Sequence, residues 1–173
     1  MILVDNVFGY LNGVMPELEG KIIPANLDQT SPVLPYCTFK VSNEQTYGTP
    51  EVTYEDLANF EETSTAQKKA KVEVNFYAEP ISSSNDYDAR YYANLLVARF
   101  TMSKGMNASG EFMLFLAGYK DYSPLDEYLE DKLESRSIVE VDFFFTNSHT
   151  EEAEKVESFV HTGTIINNLG VPI

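Results

Sequence analysis

Basic residues are scarce in this sequence of 173 residues. Lys and Arg together number 12 against 27 Asp and Glu, which gives a formal net charge of −15. Proteins that bind nucleic-acid phosphates need Lys and Arg to displace counterions, so this balance argues against affinity for DNA or RNA. The charge favours instead a basic protein partner, or a surface to which DNA must not adhere.

The residue types that usually carry chemistry are also few. The single cysteine, Cys37, cannot form an internal disulfide and has no nearby His or basic cluster to activate it. The two histidines, His149 and His161, lie twelve residues apart without a neighbouring Cys or His, which argues against a metal site. No phosphate-binding Gly-rich loop with Lys-Ser/Thr and no Gly-x-Ser-x-Gly elbow is present. We therefore predict no enzymatic activity, no cofactor and no metal.

Long apolar runs are missing as well. The first eleven residues are largely apolar, but they lack a basic leading region, and Asp5 interrupts a run that is too short to span a bilayer. We predict neither a signal peptide nor a membrane anchor, and we expect an intracellular protein.

Strict alternation of apolar and polar residues is the strongest pattern that the sequence does have. In the segment 136–147, four large apolar residues fall on one side of a period-two ribbon, while Glu140 and Asp142 fall on the other. The apolar side is formed by Val139, Val141, Phe143 and Phe145. Each of them contributes about 1.5–3 kcal/mol when fully buried, so this segment is predicted to be a central core strand.

The segment 68–79 alternates in the same way and is predicted to pair with that strand. The pairing would set Lys69 or Lys71 beside Glu140 or Asp142 on the polar face. These two carboxylates would then lie roughly 7 Å apart, a spacing that acid–base pairs also use. In a chain with 27 acidic residues, a solvated strand face is the favoured interpretation over catalysis.

Helical periodicity appears in three places. An amphipathic helix is predicted from Val4 to an end at Pro16, and a second helix from about Asp86 to a stop at Lys104-Gly105. The sequence Ser123-Pro124-Leu125-Asp126 has the form of a capping box, which predicts a short acidic helix or turn to Glu134. With short strands at 21–23, 34–41 and 111–117, these elements predict an α+β fold. It consists of a mixed, mainly antiparallel sheet with two main helices packed on one face.

The chain is predicted to be a single domain of residues 1–173, from whose body two segments project. Residues 42–67 form a long acidic connection, interpreted either as an arm or extended hairpin that docks on a partner or as a loop folded onto its own domain. A C-terminal hairpin is predicted over about 136–167, with a weakly alternating return strand from Val156 to Asn167. The candidate subunit or partner contacts on these segments are Tyr47, Tyr54, Phe60, His149 and Phe159.

The order of these segments resembles a family of phage virion proteins, the neck or tail-terminator proteins of long-tailed phages. The resemblance spans most of residues 34–147 and has no reactive-residue signature. It is carried by Leu34-Pro35-Tyr36-Cys37-Thr38-Phe39, by Lys71-Val72-Glu73-Val74-Asn75-Phe76-Tyr77-Ala78, by the helix with Asp88-Ala89 and Asn94-Leu95, by Leu125 to Arg136, and by Val139-Glu140-Val141-Asp142-Phe143-Phe144-Phe145.

This resemblance implies a tail-terminator-like fold and a ring, usually of six subunits, at the head-proximal end of a phage tail. Such a ring ends polymerisation of the tail tube and joins the tail to the head–tail connector. The implied partners are other copies of the chain, the tube protein, possibly the sheath, and the connector proteins, while DNA only passes through the lumen and no membrane is involved. The location is the virion, after assembly in the host cytoplasm. The alternative is a monomeric adaptor or protein-binding module without catalytic activity.

Overall fold

The protein is described by a computed structural model over residues 3–25, 32–56, 61–82, 87–129 and 132–152. These residues contain three α-helices, five strands and one short 3-10 helix. Their order is α1 (Leu3–Val14), the 3-10 helix (Pro16–Leu18), β1 (Ile22–Pro24), β2 (Tyr36–Asp56), β3 (Glu61–Ala78), α2 (Ala89–Phe100), α3 (Ser103–Phe112), β4 (Phe115–Leu129) and β5 (Lys132–Glu152).

The strands form one mixed sheet in the order β1-β2-β3-β5-β4. Only the short β1 runs parallel to its neighbour; the other three pairs are antiparallel. The helices pack against this sheet, so the predicted α+β class is confirmed. The predicted strand at 136–147 lies inside β5 and pairs with β3 along its whole length.

One face of β3 and β5 is buried by α1 and α2. All apolar residues predicted for this face are at most 9% exposed. The Tyr10 ring of α1 meets the Phe143 ring edge-on, with 5.0 Å between the ring centroids. The core therefore lies between the helices and this face of the sheet, and it includes Ala70, Val72, Val74, Phe76 and Ala78 of β3 and Val139, Val141, Phe143 and Phe145 of β5.

The first helix ends where the sequence predicts, and an ion pair fastens its end to α2. The Arg99 guanidinium donates to both carboxylate oxygens of Glu17, at 2.6 and 2.5 Å, and to the carbonyl oxygen of Val14 at 2.7 Å. The last bond satisfies a carbonyl at the C-terminal end of α1 that has no partner within the helix. Arg99 lowers the pKa of Glu17 to about 2.

The second predicted helix is wrong in its C-terminal part. It ends at Phe100, and a separate helix, α3, starts at Ser103. Gly105 is therefore not a helix stop but a buried residue of α3. A Cβ atom added there would overlap the backbone oxygen of Arg99, so only glycine allows the two helices to approach this closely.

The helix predicted from Ser123 to Glu134 is also wrong. The backbone at 123–129 belongs to β4 and pairs with residues 132–138 of β5. Pro124 is tolerated because β4 is an edge strand, where a missing N–H can face away from the sheet. The predicted strand at 111–117 starts late, because α3 continues to Phe112.

Candidate assembly surface

The face of the sheet opposite the helices carries a row of ion pairs. Glu140 of β5 accepts from Lys71 of β3 at 3.2 Å and from Lys120 of β4 at 2.9 Å. Lys69 lies 2.8 Å from Asp142. The pairs of Lys69 and Lys71 are the cross-strand pairs predicted from the alternation, formed here on the diagonal of the β3–β5 ladder. The pair of Lys120 with Glu140 was not predicted and joins directly opposed residues of β4 and β5.

The ion pairs also account for Glu140 and Asp142, whose spacing resembles that of an acid–base pair. The two lysines lower the pKa of Glu140, and Asp142 raises the pKa of Lys69. A general acid needs a raised carboxyl pKa to hold a proton near neutral pH, and Glu140 is shifted in the opposite direction. The arrangement is that of a solvated, charge-paired strand face.

The cysteine and histidine residues show no arrangement for catalysis in the described part of the chain. Cys37 is buried, and burial raises the pKa of its thiol, so the thiolate is disfavoured. Within the described ranges, no group of three or more His, Cys, Asp or Glu residues is placed to hold a metal ion. None of the helices in these ranges is long and apolar enough to cross a membrane.

The sheet continues past its helix-covered part as a three-stranded arm, which consists of residues 45–56 of β2, 61–67 of β3 and 146–152 of β5. Six residue steps separate Gln67, where the arm begins on β3, from the end of the strand at Glu61, so the arm projects about 20 Å. Hydroxyl groups link its strands: the Oγ1 atoms of Thr63 and Thr150 lie 2.8 Å apart. The described residues of the segment 42–67, which are 42–56 and 61–67, thus belong to paired strands.

Charge on the arm has one sign. It contains no Lys or Arg and seven acidic residues, which are Glu51, Glu55, Asp56, Glu61, Glu62, Glu151 and Glu152. At its tip the register places Asp56 opposite Glu61, and Glu61 opposite Glu152. The register therefore brings acidic positions of all three strands together at the end of the arm.

The outer edge of the arm on the β2 side is protected against further strand pairing. The β2–β3 ladder has three register shifts, and Asn43 and Gly48 have positive φ angles of 52° and 71°. Pro50 lies in the same stretch. Bulges and proline are the usual means by which an edge strand avoids edge-to-edge association. Contacts of this part of the arm with other proteins are therefore expected through its faces.

A shallow aromatic groove lies at the base of the arm, on the face opposite the helices. It is lined by Tyr47, Phe115 and Phe144, with Gln67, Phe145 and Thr146 beside them. The three rings are 50%, 53% and 40% exposed, respectively. The Tyr47 and Phe144 rings meet edge-on at 5.7 Å, and Phe115 pairs with Phe144 in the β4–β5 register. Contiguous exposed aromatic residues of this kind are typical of protein–protein contact sites.

The predicted contact residues are distributed over these features. Tyr47 is part of the aromatic groove, and the exposed His149 pairs with Ser64 along the arm. Tyr54 is an arm residue of β2 and pairs in register with Glu62. Phe60, Phe159 and the predicted return strand at 156–167 lie outside the described residues. Phe115 and Phe144 were not predicted as contacts, although Phe144 stands between two core residues of β5 and must therefore face outward.

A comparison with protein families decides what kind of protein carries this surface. Over residues 1–168, nearly its full length, the chain matches the family described as phage neck terminator protein. The chain belongs to this family. A comparison with curated proteins gave no significant match.

Membership of the phage neck terminator family defines the protein's role in outline. It is a structural component of the phage tail, located at the neck of the virion. Its partners are accordingly other tail and head proteins. The paired carboxylates, the arm and the groove are surface features of such an assembly protein.

Proposed function

We propose that the protein forms a ring of identical subunits, six in number, at the head-proximal end of the tail. There it ends polymerisation of the tail tube and joins the tail to the head–tail connector. The match to the neck terminator family over residues 1–168 is the observation that carries this proposal. We propose no catalytic step. The protein acts by fit: when it is bound to the last ring of the tube, that ring has no free surface on which a further tube ring can assemble.

The arm supports this role through its reach. A projection of about 20 Å exceeds what the helix-covered part of the domain needs for its own core. The acidic residues at the tip, opposed in register and without a basic residue on the arm, favour contact with a basic surface of another protein. The arm is therefore assigned to contacts with a neighbouring subunit, the tube protein or the connector.

The charge of the chain supports the passage of DNA through the ring. Six copies carry about −90 formal charges, six times the −15 of one chain. Carboxylates that face the lumen repel phosphates and leave DNA free to slide. We expect the ring not to retain duplex DNA on a filter, even at low salt, where a basic ring would bind it.

The experiment that tests the proposal combines native mass spectrometry with negative-stain imaging. The full-length protein is examined alone and after mixing with its tail tube protein. We expect closed rings of one stoichiometry, located at one end of tubes whose lengths stop increasing once the protein is added. Monomers at every concentration, with and without tube protein, would show that the chain is a monomeric adaptor instead.

A further inference from the structure

A second exposed apolar surface lies on α3, in the helical layer. Met102, Met106 and Met113 are 56%, 61% and 61% exposed. Met106 lies within α3, and Met102 and Met113 flank the helix as its N-cap and C-cap, so the three span its length of about 16 Å. Methionine side chains adapt to irregular surfaces and make favourable contacts with aromatic rings. We call these three residues the methionine stripe.

Gly110 interrupts this stripe, and the subunit itself gives no reason for it. A Cβ atom added at Gly110 would meet nothing within 4 Å, in contrast to Gly105 on the same helix, which is fixed by its contact with Arg99. A helical glycine without a packing role lowers helix stability relative to alanine. Between Met106 and Met113 it leaves a notch that an aromatic ring from outside can enter.

The aromatic groove and the methionine stripe are both locally neutral in a strongly acidic chain. None of the residues that line the groove is charged. The stretch 102–113 contains one Lys and one Glu, Lys104 and Glu111, which balance. Two copies that each carry −15 repel one another over most of their surfaces, so they approach at least electrostatic cost where both are neutral. This favours a second copy as the occupant of the groove.

The two surfaces also belong to different layers of the domain. Phe144 points away from the helices, because its neighbours Phe143 and Phe145 are buried beneath them, whereas α3 belongs to the helical layer. A contact between two different patches of identical subunits is heterologous, and repetition of such a contact produces a ring when the rotation closes. The chain thus carries both halves of a ring contact.

We propose that the methionine stripe of one subunit docks in the aromatic groove of the next, with the ring of Phe115 or Phe144 entering the notch at Gly110. The inference rests on the proposed ring and names the residues through which its subunits touch. The contact is apolar in its centre and uses S–aromatic contacts. It leaves the arm free to meet other proteins.

Cysteine cross-linking tests the contact in the full-length chain. Met106→Cys and Phe144→Cys are combined in one variant and oxidised under mild conditions, with each single variant as control. The buried Cys37 stays in place and is common to all variants. We expect a ladder of covalent multimers from the double variant only, and covalent dimers when the two single variants are mixed.

The other possible results distinguish a failure of this contact from a failure of the proposed ring. Intact rings by native mass spectrometry without cross-links from the double variant would overturn this contact and leave the proposed function standing. Monomers throughout, with tube protein present, would overturn both. Covalent dimers from the Phe144→Cys variant alone would show that two grooves face each other, which contradicts a head-to-tail contact.

Introducing a charge at Met106 tests the same subunit contact independently of cross-linking. Met106→Glu should weaken subunit association about tenfold or more, whereas Met106→Leu should leave it nearly unchanged. Ile81→Glu is the matched control, because Ile81 is 66% exposed but belongs to neither surface. Equal effects of Met106→Glu and Ile81→Glu on the association constant, measured by analytical ultracentrifugation, would contradict the proposal.

Discussion

Substitution of glycine by alanine is expected to have opposite effects on the free energy of unfolding at two positions of α3, Gly105 and Gly110. In Gly105→Ala, the new Cβ overlaps the Arg99 backbone oxygen and lies 3.0 Å from its carbonyl carbon. Overpacking of this kind costs about 1–3 kcal/mol, and the upper part of that range applies because backbone cannot rotate away. The higher helix propensity of alanine offsets about 1 kcal/mol of this cost. We expect a net loss of about 1–2 kcal/mol in the free energy of unfolding.

The matched variant is Gly110→Ala, which places the same methyl group in open space on the same helix. Because this methyl group meets no other atom, only the higher helix propensity of alanine acts, and we expect the free energy of unfolding to rise by about 0.5–1 kcal/mol. Since 1 kcal/mol corresponds to about 2–4 °C in Tm for a domain of this size, the two melting temperatures should differ by about 3–12 °C. Thermal unfolding followed by circular dichroism, under conditions where the protein is monomeric, measures the difference.

The reasoning would be refuted if Gly105→Ala were as stable as the wild type, since α2 and α3 could then not meet as described. A destabilised Gly110→Ala would equally show that this side of α3 is packed within the subunit. The same variant bears on the ring contact: filling the notch should weaken subunit association while it stabilises the subunit. A merely structural role for Gly110 does not produce that combination.

Three further predictions concern single buried or paired side chains. Phe143→Ala removes a buried ring that meets Tyr10, and urea unfolding should show a loss of about 3–5 kcal/mol. Arg99 lowers the pKa of Glu17 from 4.5 to about 2. The stabilisation of the fold by the Glu17–Arg99 ion pair is therefore fully present above about pH 4.5 and is lost as the pH falls towards 2. Glu17→Gln should flatten that part of the stability curve, by no more than about 1 kcal/mol because the carboxylate is partly exposed. Iodoacetamide at pH 8 should label Cys37 only after unfolding, because burial raises the pKa of the thiol.

The parts of the fold that could be predicted from the sequence are those in which local pattern and tertiary burial agree. In 68–79 and 136–147 the period-two alternation is unbroken, and burial of one face selects a single register, since a slip by one residue would expose every core side chain. That register then sets which charges meet on the other face. The lysine–carboxylate pairs at Lys69 and Lys71 were predictable for this reason.

The wrong predictions arose where a local signal competed with a distant partner. Ser123-Pro124-Leu125-Asp126 satisfies the rules for a helix start, but its backbone finds a continuous partner in β5, and an edge position removes the penalty for proline. Lys104-Gly105 satisfies the rules for a helix stop, but the glycine is required for a close contact with α2. Neither partner can be identified from the neighbouring residues.

The contact residues predicted from the sequence include Tyr47 but not Phe144, although the exposure of Phe144 follows from the alternation rule. The segment Phe143-Phe144-Phe145 lies in a strand whose first and third phenylalanines are needed in the core. Alternation then forces Phe144 to the other face, where a large apolar side chain serves no purpose in the isolated subunit. A phenylalanine placed there by the same pattern that buries its neighbours is a signal of a partner. Met106 carries no such signal, because on a helix its exposure depends on where α3 packs, and that packing is set by Gly105 and the end of α2.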